Sequence, residues 1–188
     1  MVVSLADNGN PQSLAAILRR KRFSLFLQLL SSLTRPISIL DVGGTQQFWE
    51  VMGFAQEEGV NVTLLNIYEK PTSPSNFESV RGDERAMHFG KDTFDVVFSN
   101  SVIEHVGGLS DQLRMAGEVQ RVSKRYFVQT PNKYFFVEPH FVFPFFQFLP
   151  IATRLWFLLH FNLAWRSKTR DYESSRKLVK AVKIPSRL

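Results

Sequence analysis

Thr93-Phe94-Asp95-Val96-Val97-Phe98-Ser99-Asn100-Ser101-Val102-Ile103-Glu104-His105-Val106 reads as one strand running straight into a polar loop. Phe94 to Ser99 is rich in β-branched and aromatic residues, which suits a strand inside a sheet. Two more apolar runs lie upstream. Ile37 to Val42 is bounded by Pro36 and by Gly43-Gly44, and Val60 to Ile67 ends before the loop Pro71-Thr72-Ser73-Pro74-Ser75. Phe77 to Val80 is a short third strand with Arg81-Gly82-Asp83 as its turn. Tyr126 to Gln129 is the fifth, ended by Thr130-Pro131-Asn132.

Helical patterns alternate with these strands. Residues 12–33 predict an amphipathic helix with Phe23, Phe26, Leu27 and Leu30 on one face, stopped at Arg35-Pro36. Gln46 to Glu58 predicts a helix ended by Gly59. Ser110 caps a helix to about Val122, with Leu113, Ala116, Val119 and Val122 inward. The order predicts an α/β fold: a Rossmann-like, mostly parallel sheet with helices on both faces. In such sheets ligands sit beyond the carboxyl ends of the strands. The chain divides into an amphipathic helical region (1–35), a sheet core (36–133), an aromatic-rich segment (134–165) and a basic tail (166–188). The aromatic segment reads as a C-terminal cap over the active-site edge of the sheet. A greasy substrate pocket or a peripheral membrane contact is the alternative.

Charge narrows the partners. The net charge is +6, yet residues 1–165 carry 15 basic and 15 acidic side chains, and residues 166–188 carry eight and two. A nucleic-acid enzyme is expected to show a basic face on its folded domain, so nucleic acid is disfavoured as partner. There is no cysteine, which excludes disulfides and thiolate chemistry and fits a cytoplasmic location. The sequence shows no signal-peptide pattern, and the apolar stretch 134–165 is too broken by prolines and charges for a membrane span. Four scattered histidines predict no metal site.

Asp41-Val42-Gly43-Gly44-Thr45 links a strand to a helix. Glycine there lets the backbone approach a ligand, and the helix start offers free N–H groups. The dinucleotide pattern G-x-G-x-x-G and the triphosphate pattern G-x-x-x-x-G-K-[ST] are both absent. Ile39-Leu40-Asp41-Val42-Gly43-Gly44 resembles the first motif of class I S-adenosylmethionine-dependent methyltransferases. Gly82-Asp83 and the run from Thr93 to Val106 are similar to the corresponding parts of the methyltransferase type 11 group. The resemblance covers about residues 36–150, including Thr130-Pro131-Asn132 and Glu138-Pro139-His140.

The resemblance implies S-adenosylmethionine as cofactor and a site spread over four loops. Asp41, Gly43, Gly44 and Thr45 would line its methionine end, and Asn66 and Ile67 its ribose. Gly82, Asp83 and Glu84 would meet the adenine, with Arg85 beside them. Asn100 and Ser101 would lie beneath the transferred methyl. Two positions depart from the pattern: Asn66 stands where an acid is usual, and Gln46-Gln47 fill the place of a third glycine. The family's terminal hairpin is not visible. Its loss would leave an open sheet edge, met by a homodimer or by a disordered tail.

Methyl transfer asks mainly for alignment of a nucleophile, plus a base when the acceptor is a hydroxyl. His105 follows the fourth strand and is the first candidate base, with His140 the second. Glu104 either orients a substrate or is a solvated carboxylate. The Asn/Asp-Pro-Pro-Tyr loop of base amino-methylation is missing after the fourth strand, which again disfavours nucleic acid. The reading that results is a methyltransferase acting on a small-molecule acceptor, lipid- or glycan-related. The alternatives are a noncatalytic cofactor-binding scaffold, and an RNA methyltransferase guided by the basic tail and Arg19 to Arg22.

Overall fold

A computed structural model describes residues 14–131, 137–138, 143–163, 169 and 171–181. The chain forms two compact units: residues 26–130, and residues 1–25 together with 131–188.

The first unit is a five-stranded parallel sheet. Its strands are β1 (Ile37–Val42), β2 (Val60–Asn66), β3 (Phe77–Arg81), β4 (Phe94–Asn100) and β5 (Ser123–Gln129), in the order β3-β2-β1-β4-β5. The order reverses between β1 and β4, which pair with Leu40 opposite Val97 and Asp41 opposite Phe98. The crevice beyond that switch point is where open α/β sheets bind ligands. β5 begins three residues earlier than its apolar core suggested, because Ser123 and Arg125 pair with Phe94 and Val96 of β4.

Each face of the sheet is covered. On one, Leu40, Val42, Leu65 and Val97 pack with Met115, Val119 and Val122 of α3 (Leu109–Val122). On the other, Phe98 and Phe127 stack in parallel at 5.8 Å. Phe26 of α1 (Leu14–Ser31) and Trp49 of α2 (Gln46–Val51) meet Phe98 edge-on at 4.8 and 5.2 Å. α1 runs across both units.

Four expectations about helices are corrected. α2 stops at Val51, not at Glu58. Gly53 takes the left-handed region at φ 88°, and the Phe54 N–H donates to the Trp49 carbonyl at 2.9 Å, folding Phe54 back onto the indole. Leu27 is 42% exposed, because the α1 stripe leans toward Phe26 and its ring contacts. On α3 Leu113 is 60% exposed and Gln112 is buried. Val119 and Val122 allow two settings of this helix. The observed one buries Met115, larger than Ala116, and that rotation turns Leu113 out. The helix starts after Gly108, not Ser110, and the Asp111 carboxylate accepts the Gly108 N–H at 3.2 Å.

In the second unit, β6 (Val137–Glu138) and β7 (Phe143–Pro144) form a separate antiparallel pair. α4 (Ile151–His160) packs with α5 (Tyr172–Ala181). Among the described residues no helix is long and apolar enough to cross a membrane.

Candidate functional site

The exit of β1 is organised around a buried acid. Asp41 lies on the aromatic face of the sheet and is 1% exposed. Its Oδ2 accepts a hydrogen bond from Trp49 Nε1 at 2.6 Å, while Oδ1 is buried with no partner. Burial pushes this carboxyl up to about 7, with the indole bond opposing. Gly44 sits directly on it, where an added Cβ would come within 1.6 Å of Oδ2. Gly43 is left-handed at φ 77°, and its missing side chain makes room for Val102. Thr45 then caps α2, its Oγ1 accepting the Phe48 N–H at 3.3 Å.

β2 and β3 end beside this loop. Asn66 Nδ2 donates to the Gly44 carbonyl at 3.0 Å, so the amide ties the glycine loop to β2. The Gly82 N–H donates to the Asn66 carbonyl at 2.9 Å. Ile67, Gly82, Asp83 and Glu84 line an open groove of about 440 Å³, together with Arg81, Arg85 and His88. Asp83 clamps Arg85: Oδ2 accepts from Nη2 at 2.7 Å, and Oδ1 accepts from Nε at 2.9 Å and from the Arg85 N–H at 2.8 Å. The guanidinium bonds hold the Asp83 carboxyl down at about 2, so it stays ionised and half exposed. Arg85 reaches on to Asp111 at 3.3 Å, linking the groove to the start of α3.

Beyond β4 the chain turns sharply. Ser101 is left-handed at φ 59°, a conformation few non-glycine residues adopt, and its N–H donates to the Gln129 carbonyl at 2.8 Å. Asn100 Oδ1 accepts from Gln129 Nε2 at 3.0 Å and from Ser101 Oγ at 3.3 Å. A 3₁₀ turn over Ile103–His105 follows. It leaves His105 exposed and buries Glu104 completely. Glu104 is therefore not a solvated carboxylate. Its Oε2 accepts from Thr130 Oγ1 at 3.0 Å, and Oε1 is buried without a partner.

Asp41, Gly43, Gly44, Thr45, Asn66, Ile67, Gly82, Asp83, Glu84, Asn100, Ser101 and His105 thus all stand at the carboxyl ends of β1 to β4 or in the loops that follow them. His140 lies outside the described residues. Among the described residues no group of His, Asp or Glu is arranged to hold a metal ion. The sequence alone assigns no site role to Trp49, Gln129 or Thr130. The spacing Asp41 to Trp49, one strand end to the first turn of the next helix, was the only signal for the first. The other two needed the β4–β5 pairing.

The sequence pattern of the methyltransferase domain family matches residues 40–126. Several solved structures are similar to the chain. An S-adenosylmethionine-dependent methyltransferase from Mesorhizobium loti is 19% identical, over 59% of this chain and 54% of that one, with a TM-score of 0.41. One from Aquifex aeolicus is 20% identical over 52% and 57%, TM-score 0.39. One from Methanosarcina mazei is 19% identical over 53% and 55%, TM-score 0.42. The chain spans just over half the length of these three proteins and less than half of others. No curated protein sequence matches it.

Proposed function

We propose that this chain is a class I S-adenosylmethionine-dependent methyltransferase, a reading supported by the family match over residues 40–126, and that it binds the cofactor along the carboxyl edge of its sheet and methylates a small acceptor, lipid- or glycan-related. The observation that carries the reading is the convergence of four loops, after β1, β2, β3 and β4, on one edge at the switch point. The side chains there suit this cofactor. The glycine loop is exposed at Gly43, Asp41 Oδ1 is a buried acceptor without a partner, and Asp83 is an ionised acceptor in an open groove.

In this reading Asp41, Gly43, Gly44 and Thr45 hold the methionine end. Asn66 spends its amide N–H on Gly44, which leaves Oδ1 to accept one ribose hydroxyl, with Ile67 beneath the sugar. Gly82, Asp83 and Glu84 hold the adenine, and Asp83 accepts from its amine. The cofactor supplies a methyl group already activated on a sulfonium. The protein's part is to align the acceptor, and Asn100 and Ser101 border that position. For a hydroxyl acceptor His105 takes the proton, with His140 as the other base. The aromatic residues of 134–165 favour an apolar acceptor.

Calorimetric titration with S-adenosylmethionine and with its demethylated product tests the binding claim. Micromolar-range heats are expected, and no heat with either ligand overturns it. Asp83→Ala should weaken binding by about 1.5–3 kcal/mol, the worth of a hydrogen bond to a charged group; an unchanged affinity contradicts the adenine assignment. A noncatalytic cofactor-binding scaffold is the second reading, favoured by the uncharged Asn66. Tritium transfer from methyl-labelled cofactor into a small-molecule extract separates the two.

A further inference from the structure

Two carboxylate oxygens in the unit of residues 26–130 are buried without a partner, Asp41 Oδ1 and Glu104 Oε1. Buried polar atoms are nearly always paired, so each exception needs a physical reason. Asp41 stands near the end of β1 and Glu104 just beyond β4, and these strands are neighbours at the switch point. In the proposed site Asp41 serves the methionine end of the cofactor, whereas Glu104 has no role.

The fold fixes where Glu104 stands. In the 3₁₀ turn, Ile103 enters the cluster with Met115 of α3, and Glu104 turns to the exit of β5. There its Oε2 accepts from Thr130 Oγ1 at 3.0 Å. The residue before Thr130, Gln129, donates to Asn100 Oδ1 at 3.0 Å and accepts the Ser101 N–H at 2.8 Å. Val102, two residues before Glu104, occupies the space that Gly43 leaves by having no side chain. Gly43, Asn100 and Ser101 border the methionine and methyl end of the proposed site, so the Glu104 carboxylate is tied to that end from two sides.

Among the described residues no ion pair reaches Glu104. Thr130 is a neutral donor. A buried carboxylate with one neutral donor and one empty oxygen is poorly compensated, so a cation brought near it is favoured. The two ligands of the proposed site differ in that respect: S-adenosylmethionine carries a positive sulfonium, and its demethylated product is a neutral thioether at the same atom. At the adenine end Arg81 and Arg85 balance Asp83 and Glu84, so the groove there favours neither ligand by charge.

We infer that Glu104 is a specificity-determining residue of the cofactor site, its buried carboxylate favouring the charged sulfonium over the neutral product. The inference rests on the cofactor binding proposed above and adds the charge that the site selects. The product lacks that charge and is released more readily than the cofactor.

The test is calorimetric titration of the full chain with three ligands: S-adenosylmethionine, its demethylated product, and sinefungin, an analogue with a charged amine in place of the sulfonium group. The wild type is expected to bind both cations more tightly than the product. Glu104→Gln keeps an oxygen to accept from Thr130 but removes the charge. It should weaken both cations about tenfold, the order expected between unit charges in a partly desolvated site, and leave the product unchanged. Thr130→Val removes the hydrogen bond and keeps the charge, so the preference for the cations should persist. A wild type that binds the product as tightly as the cations overturns the inference, and this arm needs no variant to fold. It is equally overturned by a Glu104→Gln protein of unchanged circular dichroism that weakens all three ligands alike or none, as a merely structural role would, or by a preference lost in Thr130→Val. If the wild type binds none of the three, the cofactor reading falls together with the inference, a result distinct from binding without preference.

Discussion

Asp41 is an acid that the fold has deprived of water. Its Oδ2 keeps one donor, the Trp49 indole, and its Oδ1 keeps none. A buried carboxyl with its titration raised to about 7 binds a proton in the folded state that the unfolded chain, near its ordinary value of 3.8, has already lost. Stability associated with Asp41 is therefore fully present below pH 4, falls as pH rises and levels off above 7. Asp41→Asn should flatten that fall; urea unfolding of both proteins at pH 5 and pH 8 reads it, and parallel pH profiles would contradict the assignment. Gly44 answers to the same carboxylate. Gly44→Ala should cost about 1–3 kcal/mol through overpacking. Thermal melts should show much of that cost recovered when Asp41→Ala is added, because the clash is with Asp41 itself.

At the scale of elements, α3 holds the rim of the groove. Arg121 donates to the Met87 and Phe89 carbonyls at 2.8 and 2.7 Å, and Glu118 accepts the Met87 N–H at 2.6 Å. At its other end Asp111 joins Arg85 to the helix start. Asp111→Ala should cost about 0.5–2 kcal/mol as a lost N-terminal helix contact. It should also loosen the Asp83–Arg85 clamp, seen as faster amide exchange at Arg85. The strands were legible in the sequence, since β1, β2 and β4 are short apolar runs with clear stops. Helix phase was less so. Apolar side chains lie on two adjacent stripes of α3, and only the shape of the sheet surface chooses Met115 over Ala116. The four loops of the site were legible as a series. What they do locally was not: the Asn66–Gly44 tie, the Asp83–Arg85 clamp and the burial of Glu104 arise from neighbours distant in sequence.

For the molecule as a whole, ligand binding and folding are linked. If the sheet edge binds the demethylated cofactor, a concentration of 100 times Kd should stabilise the unit of residues 26–130 by about 2.7 kcal/mol. A melting temperature that does not move with ligand concentration would argue against binding there. The charge of the chain is also unevenly shared: the sheet unit lies within the nearly neutral part of the sequence, and the positive excess lies beyond it.

Strand order carries a further consequence, one of timing. β1 and β4 are neighbours at the centre of the sheet, and Ser38 accepts and donates hydrogen bonds with Asp95 across 57 residues of chain. A ribosome adding 5–20 residues per second would need roughly 3–11 s to deliver that second strand after the first. During that interval β1 can pair with β2 on one side while its other edge stays open. The central seam therefore closes only after the β1–β2 and β2–β3 seams can form, and a chaperone that shields exposed strand edges would have its clearest opportunity in that interval.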